Sequence, residues 1–133
     1  MRKLIHNLHL QKNNILLIFD EIVTGFRLAY GGAQEKYNVT PDLCTLGKII
    51  GGGFPLAAIA GSSEIMSHFD QNKVGKDKWL MQIGTLSGNP IASAAGLKTM
   101  EVLRRKNMFD KLRKCGNEIM NCLNENLKNA NIG

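Results

Sequence analysis

The sequence predicts an α/β fold, and three observations carry that prediction. An uninterrupted apolar run of strand length, Ile15 to Phe19, ends on the acidic pair Asp20 and Glu21. Two more short strand candidates, Leu43 to Leu46 and Leu56 to Ala60, follow, set apart by glycine-rich turns. Two helical patterns fill the last third, and strands alternating with helices specify a sheet covered by helices. With 133 residues, 44% apolar and 21% charged, the chain is one globular unit or a piece of a larger one. Its longest apolar run falls far short of the roughly 20 residues that span a bilayer. The composition also lacks the low hydrophobicity that keeps chains disordered.

Taken in order, Met1 to Gln11 reads as the end of an amphipathic helix carrying Leu4 and Leu8. The run from Ile15 to Phe19 is expected to be buried on both faces of a parallel sheet, because such strands read as continuous apolar segments. Residues 25 to 42, broken by Gly25, Gly31, Gly32, Asn38 and Pro41, form a connection with a short helical piece at Gln34 to Tyr37. Gly51, Gly52 and Gly53 permit positive φ and close backbone approach between the second and third strands. A short helix starts at Ser63, and Asp70 to Lys78 is a charged surface loop. Asn89 caps, and Pro90 opens, a helix to about Leu103 whose core face holds Ile91, Ala94, Ala95, Leu97 and Met100. Phe109, Leu112, Cys115, Ile119, Cys122 and Leu127 give the second amphipathic helix.

Cys44, Cys115 and Cys122 are odd in number and show no C-x-x-C spacing, so they frame neither disulfides nor a zinc site. The first 14 residues lack the apolar core and cleavage pattern of a secretory signal, which leaves the cytoplasm as the expected compartment. The charge is uneven. Residues 1–97 carry nine basic against seven acidic groups, and residues 98–133 eight against four. The basic cluster from Arg104 to Lys114 falls between helical apolar positions with only Phe109 interleaved, the pattern of a solvated helix face rather than a nucleic-acid patch.

Several site motifs fail on spacing. Gly47-Lys48 lacks the upstream glycine and the following Ser or Thr of a P-loop, and Gly51-Gly52-Gly53 lacks G-x-G-x-x-G spacing. His6, His9 and His68 have no acidic partners at metal-ligand spacing, so no metal is expected. What remains is a carboxylate at a strand end, Lys48 on a glycine-bounded turn 28 residues later, and a Thr-Leu-Ser-Gly-Asn-Pro turn. A carboxylate keeps a pyridine nitrogen protonated, a lysine amine condenses with an aldehyde, and a hydroxyl at a helix start holds phosphate. Each is as easily a cap or a solvated side chain when taken alone.

Together the motifs carry a resemblance. Leu16-Leu17-Ile18-Phe19-Asp20-Glu21-Ile22-Val23-Thr24-Gly25-Phe26-Arg27, Pro41-Asp42-Leu43, Leu46 to Pro55, and Gly84-Thr85-Leu86-Ser87-Gly88-Asn89-Pro90, in that order, resemble the class III aminotransferases. These are pyridoxal 5′-phosphate enzymes of fold type I. Gly32-Ala33-Gln34 and the run from Lys48 to Pro55 look most like the glutamate-1-semialdehyde 2,1-aminomutase branch.

The resemblance implies a transaminase or aminomutase in which Lys48 is the Schiff-base lysine and proton shuttle. Asp20 would pair with the pyridinium nitrogen, Ile22 would pack on the ring face, and Thr85 would reach the cofactor phosphate of a neighbouring subunit in a homodimer. The substrate would be a small amino or keto compound, with neither nucleic acid nor membrane as partner. Val23 stands where many members have Gln, which points away from the ornithine and 4-aminobutyrate branches. The loop from His68 to Met81 is longer and more charged than the aminomutase branch leads one to expect, which keeps a related transaminase in view.

Members of the family are much longer, so the chain is expected to be a fragment, inactive alone. Residues 1–105 would be the later part of the cofactor-binding large domain, a mostly parallel sheet with flanking helices. Residues 106–133 would be the first helix of the carboxyl-terminal small domain. The rival readings are a non-catalytic interaction or dimerisation module and, more weakly, a nucleic-acid binder through residues 104–114.

Overall fold

The computed structural model describes residues 12–13 and 15–130, and the helix end expected over Met1 to Gln11 lies outside them. Three strands, β1 (Ile18–Asp20), β2 (Leu43–Leu46) and β3 (Ala58–Gly61), form a sheet in the order β1-β2-β3. β1 and β2 run parallel, with Asp20 opposite Thr45, whereas β2 and β3 run antiparallel, with Thr45 opposite Ile59. The connections decide these directions. Residues 21–42 contain α1 (Gly32–Tyr37) and are long enough to cross over. Residues 47–57 are too short for a parallel return, which takes a dozen residues or more.

After β2 the chain makes a 3₁₀ turn, Lys48–Gly51. β3 leads into α2 (Ser63–Met66), started by the Ser62 hydroxyl accepting from the Ile65 amide. The stretch expected as a charged loop contains α3 (Gln71–Val74), because the Asp70 carboxylate accepts from the Asn72 amide and supplies a helix start. The long helices are α4 (Pro90–Leu103) and α5 (Met108–Asn129), separated by Asn107 in the left-handed region at φ 62°. Among the described residues no helix is long and apolar enough to cross a membrane.

Two expectations are corrected. The run from Ile15 to Phe19 is not buried on both faces: β1 starts only at Ile18, and the Ile18 side chain is 57% exposed. β1 is an edge strand of the described sheet. On α4 the face toward the core holds Ala92, Gly96 and Leu103, while Ile91 and Leu97 are 63% and 67% exposed. The helix lies against the 3₁₀ turn so closely that only small residues fit between: a Cβ on Gly96 would stand 2.5 Å from Leu56 Cδ2 and 2.8 Å from the Ile50 carbonyl. The same contact takes Leu56 out of the strand expected to begin there, and β3 starts two residues later. The apolar core is small, made of Cys44, Ile50, Ala92 and Leu103.

Candidate active site

The site is built on the carboxyl ends of β1 and β2, where an open α/β sheet leaves a crevice. One Asp20 oxygen, Oδ1, accepts both the Ile22 amide at 3.0 Å and the Thr45 hydroxyl at 3.1 Å. The second oxygen has no hydrogen-bond partner among the described residues and faces out from an exposed side chain. The carboxylate is thus oriented by one oxygen and left open at the other. Thr45 was not identified from the sequence, because its role depends on the parallel register that sets it opposite Asp20. Asp42 was missed likewise: its Oδ2 accepts the Leu17 amide at 2.7 Å, and its own amide donates to the Leu17 carbonyl at 2.9 Å, so Pro41-Asp42-Leu43 sets where β1 begins.

Lys48 opens the 3₁₀ turn at φ 46°, a left-handed conformation that costs a non-glycine residue on the order of 1–2 kcal/mol. Such strain persists where the surroundings over-determine it. Here α4 backs the turn through Gly96, and Ile50 and Gly51 are buried. The Lys48 side chain is exposed, and its ammonium makes no hydrogen bond or ion pair among the described residues. Ile22 lies alongside the turn: a Cβ on Gly47 would contact its Cγ2 at 3.4 Å.

The acidic pair divides. Whereas Asp20 is open, Glu21 is 1% exposed, the one buried charged side chain among the described residues. It accepts from the Thr24 hydroxyl at 2.5 Å and from the Ala33 and Gln34 amides at 2.9 and 3.1 Å. Burial by itself raises its pKa, but these hydrogen bonds outweigh burial and hold the carboxyl below the usual glutamate value.

Thr85 sits on an exposed turn held by the Ser87 amide donating to the Gly84 carbonyl. Asn89 closes the turn, its Oδ1 accepting from the Ile91 and Ala92 amides, as expected of the cap of α4. An open groove of about 680 Å³ has Ile22, Thr45, Ile59, Phe69 and Trp79 in its lining together with Ser87 and Gly88 of the Thr85 turn. Among the described residues no charged side chain lines it. The structure therefore brings Asp20, Thr45 and Ile22 together beside the Lys48 turn, whereas Thr85 touches this groove only through the residues that follow it. Among the described residues no cluster of His, Cys, Asp and Glu is placed to hold a metal ion.

The chain matches the class III aminotransferase family over residues 7–132, and it belongs to that family. Its cofactor is pyridoxal 5′-phosphate. Solved structures agree. An omega-transaminase from Sphaerobacter thermophilus is 40% identical with a TM-score of 0.76, over 92% of this chain and 27% of its own. A β-phenylalanine aminotransferase from Variovorax paradoxus is 34% identical with a TM-score of 0.61, over 77% of this chain and 22% of its own. A Bacillus anthracis aminotransferase is 31% identical with a TM-score of 0.69, over 90% and 26%. The chain spans about a quarter of the length of these proteins.

The residues present fit the cofactor. An open carboxylate oxygen, an amine unpaired among the described residues on a strained turn and an apolar side chain against that turn are the groups that a protonated pyridine ring bearing an aldehyde requires.

Proposed function

We propose that this chain supplies the lysine and carboxylate half of an amino-group-transfer site, of transaminase or glutamate-1-semialdehyde 2,1-aminomutase type. The observation that carries the reading is the Asp20 carboxylate, oriented through one oxygen at the end of β1, together with an exposed Lys48 on the strained, α4-backed turn that follows the neighbouring strand β2. Pyridoxal 5′-phosphate supplies an electron sink for the negative charge that builds on the substrate carbon. Asp20, oriented by Thr45 and the Ile22 amide, holds a proton on the ring nitrogen through its free oxygen. Ile22 covers a ring face and keeps water from it. The Lys48 Nζ would hold the cofactor aldehyde and, once the substrate amine takes its place there, would be free to move the proton to and from the substrate carbon. Thr85, exposed on its turn, donates to the cofactor phosphate of a second subunit in a homodimer.

Residues 1–105 then belong to the large domain and 106–133 to the small one, a division supported by the break between α4 and α5 at Asn107. The substrate is a small amino or keto compound, and three free cysteines suit the cytoplasm. The chain alone turns over no substrate, since it spans about a quarter of its relatives. The uncovered apolar side chains along α5 favour the second reading, an interaction module that works without catalysis.

Borohydride reduction in the presence of pyridoxal 5′-phosphate, followed by peptide mapping, tests the proposal, because reduction traps even a short-lived adduct on the isolated chain. Label concentrated on Lys48 among the twelve lysines is the expected result. Label spread evenly over the lysines overturns it.

A further inference from the structure

We propose that Glu21 is a positioning residue for the site: its buried carboxylate, clamped onto the start of α1, holds Asp20 and Ile22 at the orientation in which they face the cofactor. The proposal rests on the reading of Asp20 and Ile22 given above and adds what keeps them in place.

Glu21 lies between the two in sequence, just past the end of β1, and its side chain is buried whereas that of Asp20 is exposed. Every polar group it owns is engaged. Its amide donates to the Thr45 carbonyl at 2.9 Å, and its carbonyl accepts the Gly25 amide at 2.8 Å. Its Oε2 accepts the Thr24 hydroxyl and the Ala33 amide, and its Oε1 accepts the Gln34 amide. The strand thus ends on a residue fastened at both backbone atoms and both side-chain oxygens. Asp20 in turn is tied to this segment by the Ile22 amide, so a shift at Glu21 moves the donor that orients the Asp20 carboxylate.

A buried carboxylate with no cationic partner is expensive unless preorganised dipoles compensate it. Here one hydroxyl and the first amides of α1 do so, and two glycines make the room. Gly32 sits at φ 69°, and a Cβ there would lie 2.5 Å from Glu21 Oε2; a Cβ on Gly25 would lie 2.7 Å from the Glu21 carbonyl oxygen. Thr24-Gly25 and Gly32-Ala33-Gln34, otherwise without a role at the site, are therefore the receiving half of the Glu21 clamp. All three side-chain contacts come from donors, so only an acceptor on both oxygens satisfies them. Glutamine, with the same shape, would turn an NH₂ toward one of them.

The test reads the hydrogen bond from the Ile22 amide to Asp20 by amide hydrogen exchange at one fixed neutral pH, and no cofactor is needed. Glu21→Gln should speed exchange of this amide about tenfold as the hydrogen bond is misaligned. Thr24→Val, which removes one donor and leaves the charge, should speed it in the same direction by less. Asn89→Ala, which weakens the fold at the start of α4, should leave it unchanged.

The proposal is overturned if Glu21→Gln folds and its Ile22 exchange equals that of Asn89→Ala. If Glu21→Gln does not fold, an unaltered Ile22 exchange in Thr24→Val overturns it. Borohydride label absent from Lys48 with faster Ile22 exchange would reject the reading of the site and leave the clamp standing.

Discussion

α4 and α5 reverse the usual relation between apolar pattern and burial. α4 packs against the Lys48 turn through Ala92, Gly96 and Leu103, with its large residues Ile91 and Leu97 in solvent. α5 is the more amphipathic of the two, with Leu112, Ile119, Leu123 and Leu127 at helical spacing, yet it has no buried residue. The difference teaches that a stripe of large apolar residues records a surface to be covered. It does not say that the cover lies in the same chain. Small residues mark the contact this chain makes for itself, because they let the α4 backbone approach the turn that presents Lys48.

Breaking the packed side should give the largest effect. Gly96→Leu forces a branched side chain against Leu56 and the Ile50 carbonyl. Overpacking of this kind costs about 3 kcal/mol. A urea melt should show a loss of that order together with loss of Lys48 labelling by pyridoxal 5′-phosphate and borohydride. Unchanged stability would mean that α4 does not back the turn.

Acid sharpens the comparison next. Glu21 has its carboxyl held below the ordinary glutamate value in the folded chain. Its contribution is present above the unfolded value and is lost as pH falls through the folded one. The melting temperature should fall on acidification below the ordinary glutamate range, and the gap between the native chain and Glu21→Gln should narrow over that window. α5 should add little to the fall, since its pairs, Asp110 with Arg113 and Glu118 with Lys114, are surface contacts. A gap that stays constant with pH would place the Glu21 effect outside its charge.

Asn89→Ala comes third. It removes an oxygen that satisfies two amides at the start of α4 and should cost about 1 kcal/mol. This cap was legible in the sequence, as were the bounds of β2, the start of α2 and the apolar stripe of α5, because each rests on residues close together in the chain. The Lys48 turn was legible too, through its glycines. Thr45 and Asp42 were not, since their partners Asp20 and Leu17 come from another strand and only the register brings them together. The packed face of α4 was misjudged for a related reason: hydrophobicity ranks Ile91 and Leu97 above Gly96, while close approach to a neighbouring backbone ranks them below it. Glu21 and Asp20 look alike as a pair, and only the course of residues 24–34 over one side of β1 separates the buried carboxylate from the open one.

The smallest expected effect is the one that tests the other half of the comparison. Leu112→Lys combined with Ile119→Lys places two charges in the apolar stripe of α5. In a buried helix each would cost several kcal/mol through lost burial and an unpaired charge. Both side chains are already about half exposed in this chain, and surface substitutions fall within about 0.5 kcal/mol. Helix propensity does not oppose the change, since lysine is as good a helix former as leucine and better than isoleucine. The double variant should therefore melt within about 0.5 kcal/mol of the native chain and keep its helical circular dichroism. A loss well above that, growing with protein concentration, would show that a second copy of the chain covers the stripe in solution. The same loss at every concentration would show that it is covered from within, and the contrast between the two helices would disappear.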